Sequence, residues 1–136
     1  MAKEETNISK RIQKATSKLG ARLFRQNVGG AWVGKVTRVS QTSVLIENAR
    51  PIQMGLITGS SDLIGWYPVV ITPEMVGRKV AVFTAMEVKT PHGIASPEQK
   101  NFVAVIEEAG GIAAITRSEE SALELLANFV NIGAKD

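Results

Sequence analysis

Residues 62–102 read DLIGWYPVVITPEMVGRKVAVFTAMEVKTPHGIASPEQKNF, and the alternation of apolar runs with turn residues in this stretch decides the fold. Residues 62–72 and 78–89 are dense in Val, Ile, Phe and Tyr, which suit a pleated, half-buried surface, and Pro73-Glu74-Met75-Val76-Gly77 separates them. The pattern predicts two β-strands paired as an antiparallel hairpin. After Pro91 and Gly93 comes Ser96-Pro97-Glu98-Gln99, with Ser at the N-cap, Pro at the first helical position and Gln where a capping box needs it. A helix is expected to start there, to carry Phe102, Val103, Val105 and Ile106, and to stop at Gly110-Gly111.

Working outward towards the N-terminus, Ile8, Ile12, Ala15, Leu19 and Leu23 recur at helical spacing, which predicts an amphipathic helix over 7–24 with basic residues outside and Gly20 weakening its last turn. Residues 22–28 turn extended, Gly29 and Gly30 break the chain, and 32–39 and 42–47 read as strands joined by Ser40-Gln41. Residues 48–61 are rich in turn formers and read as a loop or irregular strand. Towards the C-terminus, 112–115 is a short apolar strand. Ser118 then caps a last helix containing Leu123, Leu125, Leu126 and Phe129, with Glu119 and Glu120 at its positive end. The order is αββ, a central hairpin, then αβα: an α/β chain read as one domain over 1–136.

A central hairpin whose loop is centred between Glu74 and Met75 sets Asp62 opposite Glu87 across the ladder. Opposed residues have Cβ atoms ~4.5–5.5 Å apart, and two like charges there destabilise a sheet unless something positive lies between them. A divalent cation resolves the conflict. Strand side chains alternate, so Glu87 and Lys89 project to one face and Val88 to the other, which brings an ammonium beside the two carboxylates. Hard oxygen ligands of this kind suit Mg²⁺ or Mn²⁺, with the Val88 carbonyl as a further donor. Such a cation would polarise a phosphoryl oxygen and lower the pKa of a bound water, while Lys89 would orient that water or neutralise developing charge: a phosphodiester-cleaving arrangement. The structural alternative has Asp62 capping a turn and Glu87 and Lys89 forming a surface ion pair.

Composition narrows the field. With 136 residues, 44% hydrophobic and 21% charged, the chain fits one globular domain rather than a disordered or membrane chain. The absence of a long apolar run and of an apolar centre in MAKEETNISK leads to an expected cytoplasmic address, the bacterial host cytoplasm if the chain is phage-encoded. Cys 0 excludes disulfides and thiolate zinc, and His92 is the single imidazole, so any metal is held mainly by oxygen. Residues 1–50 carry ten Lys/Arg against three Glu, a balance of +7, while the remainder carries six against ten, −4, for the net +3. Lys10, Arg11, Lys14, Lys18, Arg22 and Arg25 fall in one helix-length stretch that suits a phosphate-facing surface, the alternative being a solvated helix face.

The segments Gly59-Ser60-Ser61-Asp62-Leu63-Ile64, Glu87-Val88-Lys89 and Ser96-Pro97-Glu98-Gln99 followed by Phe102 resemble, in order and spacing, the VRR-NUC group of the PD-(D/E)XK nucleases. Phe24-Arg25-Gln26-Asn27-Val28-Gly29 is similar to that family's early arginine and asparagine motif; the resemblance covers most of the chain and weakens over 31–54. It implies a restriction-endonuclease-like αβα core with a central mixed β-sheet flanked by helices. It also implies divalent-metal dependence, with Asp62, Glu87 and Lys89 in metal binding and catalysis and Gln99 as an additional active-site residue. One departure stands out: Ser9 occupies the place where the family often carries a first-helix Glu, ahead of Ile12-Gln13, with Glu5 a weak substitute and Gln13 an uncharged one.

Gln99 also has a purely structural role open to it, in the capping box. Arg25 and Asn27, with Lys10 and Lys14, are candidate DNA contacts. His92 lies in a Pro-His-Gly turn and more often such an exposed loop His does nothing. Trp32, Trp66 and Tyr67 are read as core or dimer packing rather than base-stacking platforms. Compact stand-alone members of this family, many from bacteriophages, resemble homodimeric resolvases of four-way (Holliday) junctions, and the expectation here is the same, with no nucleotide cofactor and no membrane partner. The alternatives are a flap or single-strand nicking nuclease and, from another class, a non-catalytic DNA-binding protein. The apolar face of the last helix or the 32–47 hairpin is the expected dimer interface.

Overall fold

The computed structural model describes residues 2–131 and comprises two compact units, 1–67 and 68–136. No helix among the described residues is long and apolar enough to cross a membrane.

The first unit contains α1 (Ala2–Ser17), β1 (Arg22–Arg25), β2 (Gly29–Arg38), β3 (Val44–Met54) and β4 (Leu63–Trp66). Gly20 ends α1 rather than merely weakening it. Its φ of +90° lets Ala21 N–H donate to Thr16 O (3.2 Å) and Gly20 N–H to Ser17 O (3.0 Å), closing the helix in a Schellman turn. Residues past it are released to pair as β1 with β4, antiparallel, Arg22 opposite Trp66 and Arg25 opposite Leu63. A Cβ on Gly65 would lie 1.8 Å from the Arg22 carbonyl oxygen, so this pairing is open only to glycine there. Phe24 and Trp66 pack with ring centroids 5.3 Å apart, and Trp66 is buried. The covered stripe of α1 is polar, Thr6, Ser9, Gln13 and Thr16; the basic residues Lys10, Arg11 and Lys14 lie outside as expected, but Ile8 and Ile12 are exposed as well, so the apolar positions are not the covered ones.

Strands β2 and β3 form a two-stranded antiparallel ribbon that runs through Gly29 and Gly30 and on to Met54, longer at its open end than the sequence pattern suggests and slightly shorter at the turn, where Arg38 pairs with Val44. Its register shifts between Val33 and Lys35. There Gly34 faces the extra residue of β3, with Asn48 at φ 53°, an αL-type bulge. A Cβ on Gly34 would lie 2.5 Å from Glu47 O, which explains the glycine. Pro51 is tolerated in β3 because each strand of a ribbon has an unpaired edge for the missing N–H.

The second unit contains a 3₁₀ turn at Pro73–Met75, β5 (Thr84–Val88), α2 (Pro97–Glu108), β6 (Ile112–Thr116) and α3 (Glu119–Asn131). Strands β5 and β6 pair in parallel, Thr84 with Ile112 through Val88 with Thr116, so β5, α2 and β6 make a βαβ crossover. Ile106 of α2 is 1% exposed, and with Ala95, Ile112 and Ala113 it forms the core. Gly110, at φ +92°, stops α2 through Gly111 N–H to Ile106 O (2.9 Å).

The antiparallel hairpin expected of the two central runs is not the pairing made: among the described residues β4 takes β1, and β5 takes β6. Both runs are also shorter than expected, because Pro68, Pro73 and Gly77 break the segment between Trp66 and Thr84. The register that sets Asp62 opposite Glu87 has no ladder behind it. The class itself stands: three helices with small parallel and antiparallel sheets, an α/β chain consistent with a nuclease-like core.

Candidate active site

The end of β5 concentrates the chemistry of the second unit. Alternation along the strand puts Glu87 and Lys89 on one face, and their side chains meet: Lys89 Nζ lies 3.1 Å from Glu87 Oε1, with 22% and 32% of the two side chains exposed. Such a pair is more covered than the solvated surface pair of the structural alternative. Val88 alternates to the other face and is 75% exposed.

Gln99 reaches the same oxygen from α2. Its Nε2 donates to Glu87 Oε1 at 2.6 Å, while its Oε1 accepts from Ser96 N–H at 2.9 Å and its backbone N–H donates to Ser96 Oγ at 3.1 Å. The capping box and the contact with Glu87 are therefore not rivals. They use opposite ends of one amide, and the cap fixes which end faces the carboxylate. The Ser96 hydroxyl also serves Glu98, whose carboxyl is held below the usual carboxylate range first by its own backbone N–H and then by that hydroxyl.

Glu87 Oε1 thus accepts from two side chains, whereas Oε2 accepts from none among the described residues. No buried side-chain oxygen there lacks a partner, so Oε2 is open to solvent. The ladder bonds Ile112 N–H to Phe83 O (2.9 Å) and Lys89 N–H to Thr116 O (3.0 Å) show that odd-numbered residues of β5 bond to β6. The Val88 carbonyl therefore lies on the other edge, which pairs with no described strand.

In the first unit Asp62 sits one residue before β4, exposed, and its carboxylate accepts no hydrogen bond from the described residues, so it does not act as a turn cap. Its backbone is held by a residue that the sequence reading passed over. Gln26 N–H donates to Asp62 O (3.0 Å), Gln26 Nε2 to Ser61 O (2.8 Å), and Leu56 N–H to Gln26 Oε1 (3.1 Å), which ties both ends of the loop before Asp62 to β1. Asn27 is exposed, and its carbonyl backs onto Gly55, where a Cβ would come within 2.0 Å. Arg25 donates to Thr6 Oγ1 (3.2 Å), and Gln13 to Leu23 O (2.8 Å), so Gln13 spends its amide on the backbone of β1. Ser9 is half-buried on the polar face of α1, and Glu5, Lys10 and Lys14 are exposed, Lys10 and Lys14 one helical turn apart. His92 is exposed on the turn after Lys89.

A carboxylate held through one oxygen by an ammonium and an amide keeps its other oxygen available as a hard donor, the kind of ligand that Mg²⁺ or Mn²⁺ takes. The chain matches the family model of the VRR-NUC domain over residues 4–120 and belongs to that family, a branch of the PD-(D/E)XK nuclease superfamily. No curated protein and no solved structure matches it. Membership makes this a nuclease domain with DNA as its substrate, in a superfamily whose enzymes usually use divalent metals. The residues present fit such an ion. The observation in favour is Glu87 Oε2, an oxygen donor that takes no hydrogen bond from the described residues; no group of three or more His, Cys, Asp or Glu that could hold a metal ion forms among the described residues.

Proposed function

We propose that the chain is a structure-specific DNA endonuclease that uses Mg²⁺ or Mn²⁺ and, as a homodimer, resolves four-way junctions, residues 1–136 acting as one nuclease domain. The observation that carries the chemistry is Glu87, held by Lys89 and Gln99 through Oε1 with Oε2 left open. In this reading Asp62, Glu87 Oε2 and the Val88 carbonyl hold the cation, which when bound supplies Lewis-acid stabilisation of charge on the scissile phosphate. Lys89 donates to the attacking water or to the phosphate oxygen that gains charge. Gln99 keeps the Glu87 carboxylate from rotating, and Lys10, Lys14, Arg25 and Asn27 contact the DNA backbone. Symmetrical cutting of two strands needs two such sites related by a two-fold axis, which is the argument for the dimer.

The test is cleavage of labelled four-way junction, flap, duplex and single-stranded DNA, with and without Mg²⁺, by the parent chain and by Asp62→Asn. Paired symmetrical nicks on the junction, lost in the variant while DNA binding is kept, support the proposal. Preference for a flap or a single strand replaces the junction by that substrate, and binding without any cutting in either metal overturns the enzyme reading.

A further inference from the structure

Lys89 and Gln99 meet on one oxygen of Glu87, yet ten positions of chain separate them, and that chain has to be held if the two donors are to stay together. Its first part is a turn over residues 90–93, closed by Gly93 N–H to Thr90 O at 3.0 Å. The turn packs on the root of the lysine. A Cβ on Gly93 would lie 3.4 Å from Lys89 Cβ and 3.2 Å from Thr90 Oγ1.

One guanidinium grips this turn from β6's far end. Arg117 Nη1 donates to the carbonyls of Thr90, Gly93 (2.8 Å) and, at the limit of bonding, Pro91 (3.5 Å). The Arg117 backbone is in turn fixed by its N–H donating to Ser121 Oγ (3.3 Å), and its neighbour Thr116 accepts from Lys89 N–H (3.0 Å). The chain therefore holds Lys89 twice from the same two residues, through its backbone and through the turn that abuts its side chain. We infer that Arg117 is a positioning residue for the cleavage reaction, acting through the turn on the Lys89 ammonium. This rests on the proposed role of Lys89. A fixed donor set of this kind matters because small misplacements of a catalytic group cost large factors in rate.

The experiment measures single-turnover cleavage at saturating Mg²⁺ and DNA affinity in Ca²⁺ for Arg117→Ala, Arg117→Lys and Gly93→Ala in the full chain. For Arg117→Ala the expected result is a cleavage rate down by about 10–100-fold with affinity within about twofold of the parent. Arg117→Lys recovers part of the rate, since it keeps a charged donor nitrogen but carries it on a side chain one bond shorter than the one that brings Nη1 to the carbonyls. Gly93→Ala, whose added Cβ would crowd Thr90 Oγ1 at 3.2 Å and Thr90 N at 3.3 Å and so shift the turn beside Lys89, lowers the rate without weakening binding. Should Arg117→Ala not fold, the lysine and Gly93 variants decide. If the parent cuts and all folded variants cut as fast, or if rate and affinity fall together, the inference is overturned while the nuclease reading stands; a parent that cuts nothing takes both down.

Discussion

The Gln99 amide is oriented by the helix that it helps to start. Because its carbonyl end accepts from Ser96 N–H, only the NH₂ end is left for Glu87, so a local folding signal sets the polarity of a contact in the candidate site. Ser96→Ala removes a cap and is expected to cost ~1 kcal/mol of stability, within the usual range for N-caps. Gln99→Ala removes its part of the cap and the Glu87 contact together, so a similar loss of stability should come with a cleavage rate lower by about 10–100-fold, the range for partners that orient metal ligands. Urea unfolding and single-turnover rates of the two variants separate the roles, and equal rates would leave Gln99 a cap only. At this scale the sequence was readable where partners are near in the chain. Ser96 and Gln99 are one turn apart, and Glu87 and Lys89 share a strand face. Gln26 and Arg117 were missed because they act on backbone carbonyls and amides of distant loops, which every residue offers and no pattern marks.

Elements were legible where a local stop or start signal is strong, as with Ser96, Gly110 and Ser118, and illegible in their partners; Gly20 reads as a weak point in a longer helix although it ends α1. Two apolar runs separated by a Pro-Gly segment suggest a hairpin, but pairing is a non-local choice, and β5 satisfies its ladder with β6, which α2 returns alongside it. The facing of α1 was misread for a related reason: the Leu23 carbonyl and the Arg25 guanidinium of β1 need polar partners, and Gln13 and Thr6 supply them. Two predictions belong here. Gly65→Ala forces a Cβ onto the Arg22 carbonyl, so β1 and β4 must separate, and urea unfolding should show a loss of about 1–3 kcal/mol, as for other overpacked sites. The start of α2 should be acid-sensitive. The Glu98 carboxyl is lowered in the folded chain, so its stabilising contribution is present above the ordinary carboxylate pKa and is lost as pH falls through the folded value. The gap in urea midpoint between the parent and Glu98→Gln should therefore be widest at neutral pH and shrink as acid protonates the carboxyl; a gap that persists in acid would mean that the Glu98 charge contributes nothing there.

For the molecule as a whole, the proposal that two copies act together has a consequence that a monomeric nuclease does not share. A cruciform on a supercoiled plasmid becomes linear when both opposed strands are cut within the lifetime of one complex, and becomes a nicked circle when only one is. An Asp62→Asn copy is expected to bind DNA and to pair normally but not to cut. If copies exchange freely, equal amounts of parent and variant give about one half mixed dimers and about one quarter parent dimers. Each mixed dimer cuts one strand, so nicked circles should accumulate at the expense of linear product, and their ratio should follow the fraction of variant. A monomeric enzyme would behave otherwise. The variant would dilute activity and slow both products, but the ratio of nicked to linear at equal extents of reaction would stay that of the parent. Measuring that ratio across a series of mixtures unfolded and refolded together, so that the copies pair anew, tests the dimer and the one-site-per-strand logic at once, and a ratio that does not move removes the homodimeric resolvase while leaving the nuclease domain intact.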